Sequence, residues 1–89
     1  MTRIIVVGRA KSGKTTLVAR LSAETGVTAI FDDFNHRRTS VESLPGEWII
    51  VVQRADDLPR PYQDLATRIV EHTGGYRFTD APASMKVEG

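Results

Sequence analysis

Gly8-Arg9-Ala10-Lys11-Ser12-Gly13-Lys14-Thr15 spells G-x-x-x-x-G-K-[ST], a pattern whose chemistry is phosphate binding. Successive backbone N–H groups in such a loop point into one concavity and donate to phosphate oxygens. The helix that follows adds the positive end of its dipole. Gly8 and Gly13 permit the required backbone dihedrals and close approach, Lys14 places an ammonium on the β/γ-phosphates, and Thr15 offers a hydroxyl to Mg²⁺. Average residue usage produces this pattern by chance in roughly a few per thousand chains of this length. Its context, an apolar run before and a helical pattern after, makes a chance match rarer still. The expected phosphate cradle is Gly8, Arg9, Ala10, Lys11, Ser12, Gly13, Lys14, Thr15 and Thr16, with the Arg9 and Lys11 side chains read as solvent-facing.

Three further residues carry chemistry. Asp32 and Asp33 follow a mainly apolar run. One carboxylate there can hold Mg²⁺, which prefers hard oxygen ligands and keeps several waters. The other can orient or deprotonate an attacking water or hydroxyl. The competing reading is a pair of solvated loop acids, or a cap on the turn that follows. Gln53 ends an apolar run, where a polar side chain can sense the terminal phosphate or hold the nucleophilic water, or else only make strand-end hydrogen bonds. Arg54 reads as a surface arginine in preference to a charge stabiliser for transferred phosphate. His36-Arg37-Arg38 reads as a solvated basic loop, and His36 and His72 have no partner spacing for a metal.

The elements that must position these groups read as follows. Residues 3–8 form a strand apolar on both faces, as a central parallel strand requires. Residues 13–25 form a helix with Leu17, Val18 and Leu21 inward and Gly26 as a left-handed C-cap. Residues 27–31 form a second strand ending in Asp32-Asp33, and residues 39–44 one short helix. Pro45-Gly46 is a turn. Residues 48–53 form a third strand. A helix from Pro61 to about His72 follows, with Leu65, Ile69 and Tyr62 inward, then Gly74-Gly75 and a short edge strand over residues 76–79. The β-α-β order implies a minimal three-layer α/β sandwich with a mainly parallel sheet of three to four strands. Such sheets bind ligands at the carboxyl ends of their strands, where the Gly-rich loop, Asp32-Asp33 and Gln53 all fall. Residues 1–80 are expected to be one truncated nucleotide-binding domain and residues 81–89 a flexible tail.

Composition sets the bounds. At 89 residues the core is modest. The net charge of +1 gives no electrostatic case for nucleic acid. Cysteine is absent, which excludes disulfides and thiolate metal sites. No apolar run approaches the ~20 residues of a membrane span, so no membrane partner and a cytoplasmic location are the expectation. An open-edged small sheet invites self-association, which is compatible with a homo-oligomer or a protein partner without requiring either.

The first fifteen residues resemble the P-loop NTPase superfamily. Two finer resemblances compete. Ala29-Ile30-Phe31-Asp32-Asp33, the basic stretch at His36-Arg37-Arg38, and Val51-Val52-Gln53 with its Pro-containing loop are similar to the pumping ATPases of the FtsK–HerA type, including phage packaging and Zot-like proteins. That resemblance implies Asp32 on Mg²⁺, Asp33 activating water, Gln53 as sensor and Lys14 on the transferred phosphate. It departs in lacking the long insertion before the acidic pair. Asp32-Asp33-Phe34, close behind the first helix, instead resembles uridine and nicotinamide-riboside kinases, which would make one Asp the base for a substrate hydroxyl. Here the departure is that no lid arginines follow. A Gln53 strand lying between the Gly8 strand and the Asp32 strand favours the ATPase lineage, and direct pairing of the latter two favours the kinases. The expected function is a minimal Mg²⁺-dependent nucleoside triphosphatase. The alternatives are a non-catalytic nucleotide-binding accessory protein of phage or mobile-element type, and a small-molecule kinase. No Asn-Lys-x-Asp segment reads guanine, which tilts the ligand toward ATP.

Overall fold

Two apolar pentapeptides build the centre of the fold. Arg3–Val7 (β1) and Trp48–Val52 (β3) lie side by side in parallel, from Arg3 opposite Trp48 to Val7 opposite Val52. Every residue of β3 is buried, as a strand covered on both faces demands. The computed structural model describes residues 1–9, 13–35, 37–74 and 77–80. The expectations for Ala10, Lys11, Ser12, His36, Tyr76 and the 81–89 tail fall outside them.

Around this pair the chain forms one five-stranded sheet. The short strand Ile30–Phe31 (β2) flanks β3, and Arg68–Gly74 (β4) flanks β1, both in parallel. The edge strand Arg77–Asp80 (β5) runs antiparallel to β4, giving the order β2-β3-β1-β4-β5. The expected three to four strands are thus corrected to five, in a mixed sheet. The source of the miss is the segment after Pro61. The expected helix to His72 stops early: α2 spans Arg60–Leu65. Ala66 turns to extended backbone at ψ 137°, and the Thr67 N–H donates to the Arg3 carbonyl at 2.7 Å, which starts the chain as a strand beside β1. Ile69 is buried as expected, but on a strand, and Leu65 is exposed rather than inward.

Helices cover both faces. The first helix, α1, spans Lys14–Thr25. It packs Val18 and Leu21 on Ile4, Val6, Ile49, Val51 and Val70. The opposite face buries Ile5, Val7, Trp48, Ile50 and Val52 under Leu58, Tyr62 and Ala66. The alternation Ile4/Ile5/Val6/Val7 between the two clusters is the period-two signature of a strand. α1 ends as anticipated at Gly26, which has φ 79° and donates its N–H to the Ser22 carbonyl. Ser22 Oγ reaches on to the Val27 carbonyl at 2.6 Å, which ties the helix end to the run toward β2. The short helix expected at 39–44 is a 3₁₀ turn over Val41–Ser43, and a second such turn covers Ala55–Asp57.

Candidate functional site

The registers bring the carboxyl ends of the strands to one level. Val7 lies opposite both Val52 and Glu71, and the Gly8 N–H donates to the Val52 carbonyl at 3.0 Å. The entrance to the Gly-rich loop is thereby fixed against Gln53. At the exit, Gly13 holds φ 86° and ψ 10°, a left-handed conformation open to glycine at no steric cost. The next residue starts α1, and Lys14 Nζ folds back to donate to the Gly8 carbonyl at 2.9 Å. That bond takes one of the three N–H donors of the ammonium.

β2 delivers the acidic pair. Phe31 pairs with Ile50, and Phe34 donates its N–H to the Val51 carbonyl at 3.1 Å. Two residues are thus looped out against one step of β3. Asp33 takes φ 53° to make that loop, a conformation in which aspartate is less disfavoured than most residues. The reversal sends the two acids apart. Asp32 lines a cleft of about 230 Å³ together with Lys14, Thr15, Val18, Ala19, Ile30 and Val51. Asp33 instead lines a larger, polar cleft of about 450 Å³ with Asn35, Arg37, Gln53, Asp56 and Asp57. So the structure brings Lys14, Thr15 and Asp32 together, and separately brings Asp33 and Gln53 together.

Gln53 also borders a third cleft, lined with it by Val7, Gly8, Arg9, Arg54, Glu71 and His72. Glu71 and His72 are additions that the sequence reading missed, because it placed them on a helix. Arg54 is committed elsewhere: its guanidinium lies 3.6 Å from Asp57, and its N–H donates to the same carboxylate at 3.2 Å. Thr16 is exposed on α1 and faces a fourth cleft with Gly13, Leu17, Arg20 and Phe78.

The first cleft is mainly apolar and carries two oxygen donors of the kind Mg²⁺ takes, the Thr15 hydroxyl and the Asp32 carboxylate. A threonine hydroxyl and one carboxylate are hard oxygen donors, and a triphosphate and water complete such a shell. Among the described residues no group of three or more His, Cys, Asp or Glu is gathered to hold a metal by itself. No helix among the described residues is long and apolar enough to cross a membrane.

No known protein family, curated protein or solved structure matches the chain.

Proposed function

We propose that the chain binds a Mg²⁺–nucleoside triphosphate at the N-terminus of α1 and hydrolyses it slowly, as a stripped-down P-loop ATPase completed by a second subunit or partner. One observation carries this reading. The Gln53 strand β3 lies between β1, which ends in the Gly-rich loop, and β2, which ends in Asp32. This order, with the Gln53 strand between the Gly-rich loop and the acidic pair, supports the pumping-ATPase resemblance. Thr15 and Asp32 are the residues that would hold Mg²⁺, which would draw off charge from the phosphates. Lys14 would neutralise the same charge from the loop side, and the backbone of Gly8, Gly13 and the first turn of α1 would cradle the phosphate. Gln53, one residue beyond the Val52 carbonyl that anchors Gly8, would orient water.

A second reading, nucleotide binding without turnover, draws on a different observation: Asp33 and Asp32 open into different clefts. A base that does not face the phosphate cannot activate its water. Mg²⁺-dependent phosphate release from ATP decides between the two. Turnover that Lys14→Ala abolishes supports the hydrolase. Binding that Lys14→Ala abolishes, with no turnover in wild type at any protein concentration, supports the accessory role.

A further inference from the structure

α1 stands between two clefts, and its helical spacing assigns different residues to each. Lys14, Thr15, Val18 and Ala19 line the flank shared with Ile30 and Asp32. Gly13, Thr16, Leu17 and Arg20 line the opposite flank, where the wall is Phe78 of β5 and the volume is about 330 Å³. Positions 13, 16, 17 and 20 follow the i, i+3, i+4, i+7 rule for one helix face. The two flanks differ in chemistry. The Asp32 side offers a carboxylate, a hydroxyl and an ammonium at its rim, a set suited to the Mg²⁺-bearing end of a phosphate chain. The Phe78 side offers an aromatic ring, the Leu17 side chain, a hydroxyl and a guanidinium.

A ligand whose phosphates cross the N-terminus of α1 has its terminal phosphate toward Asp32 and its other end toward Thr16. From this, and resting on the triphosphate reading above, we propose that the cleft between α1 and β5 holds the nucleoside end of the ligand. Phe78 supplies a ring for the base to pack on, Leu17 an apolar floor, and Arg20 a planar cation that can stack on the base. Phe78 is well placed for this because its ring is supported from the side by the paired strand β4. His72 lies directly opposite Phe78 in the β4–β5 register, and the two rings meet edge-on at 5.3 Å. The antiparallel hairpin β4–β5 thus acts as the wall of a base site, and the preference for a nucleoside over a bare triphosphate resides in Phe78 and Arg20.

The test compares ATP with inorganic tripolyphosphate, both with Mg²⁺, by calorimetry. Wild type is expected to bind ATP at least roughly tenfold more tightly, the scale of one base–aromatic stacking contact. Phe78→Leu keeps the apolar packing and is expected to remove most of that ratio while leaving tripolyphosphate affinity unchanged. Arg20→Ala, at an exposed position, reduces the ratio too and serves as the deciding variant should Phe78→Leu fail to fold. An ATP-to-tripolyphosphate ratio near one in wild type, or an unchanged ratio in the folded variants, overturns the base site. That result leaves the phosphate site standing if tripolyphosphate still binds and Lys14→Ala still abolishes it. If neither ligand binds wild type, the triphosphate reading itself fails.

Discussion

Two glycines at opposite ends of α1 allow strain to be separated from function. Gly13 has φ 86° at the start of the helix and Gly26 has φ 79° at its end. At 1.5 Å per residue they stand about 20 Å apart. A Cβ added at Gly26 meets nothing within 4 Å, so Gly26→Ala suffers only the backbone cost of the left-handed conformation. That cost is about 1–2 kcal/mol. In a domain of this size each kcal/mol lowers Tm by about 4–8 °C, so Gly26→Ala should melt roughly 4–16 °C below wild type. Gly13→Ala faces the same backbone cost and should lose a similar amount. The variants part company on ligand addition. A ligand at 100 times its Kd stabilises the native state by about 2.7 kcal/mol. Gly26→Ala should recover all of that increment with Mg²⁺–ATP, because its site is untouched. Gly13→Ala should recover little, because Gly13 sets the angle at which the loop meets the first N–H groups of α1. Thermal unfolding of the three proteins with and without Mg²⁺–ATP reads both effects. A full ligand increment in Gly13→Ala refutes the role given to Gly13. Unchanged melting of Gly26→Ala refutes the strain argument itself.

Tyr62 Oη donates to the Thr39 carbonyl at 2.6 Å and its ring meets Phe34 at 5.3 Å, so it pins the segment after the acidic pair onto α2. Tyr62→Phe keeps the ring and removes the bond, and urea unfolding should show a loss of about 1 kcal/mol. Burial, and secondarily the Glu42 carboxylate, raise the Tyr62 phenol above its ordinary 10.0. Above that pH the unfolded chain releases the proton while folded Tyr62 keeps it, so the unfolded state binds fewer protons and stability falls as pH rises. Full stability below pH 10, loss above it, and a flatter profile in Tyr62→Phe are expected in urea titrations; a rise in stability through that range contradicts the assignment. The Arg68–Asp80 pair is largely exposed, 47% and 66%, so Asp80→Ala should cost under ~1 kcal/mol in the same assay, and a much larger loss would mean that the pair holds β5 in place.

The parts of the fold legible from sequence were those where one local signal matched burial. Ile4 to Val7 and Trp48 to Val52 are unbroken apolar runs, and a strand buried on both faces needs that. Gly26 follows a helical pattern and caps it. The segment after Pro61 was misread because Leu65 and Ile69 stand four apart, the helical spacing, while Ile69 and Val70 are β-branched residues that a tertiary contact could claim. The Thr67 N–H bond to the Arg3 carbonyl makes that claim, and it spans 64 positions, beyond any local window. The consequence reached the site: with β4 read as helix, Glu71 and His72 were not seen beside Gly8. Lys14, Thr15 and Asp32, named together from their residue types, do line one cleft. The parting of Asp32 and Asp33 into different clefts was not legible, because aspartate tolerates the left-handed conformation at Asp33 without requiring it.

The central claim is that a triphosphate is held at the N-terminus of α1 by the loop that Lys14 closes. Calorimetric titration of wild type and Lys14→Ala with Mg²⁺–ATP tests it most directly. The account predicts stoichiometric binding to wild type and loss of binding in a Lys14→Ala protein that still unfolds cooperatively. Equal binding by both proteins, or no binding by wild type, contradicts it.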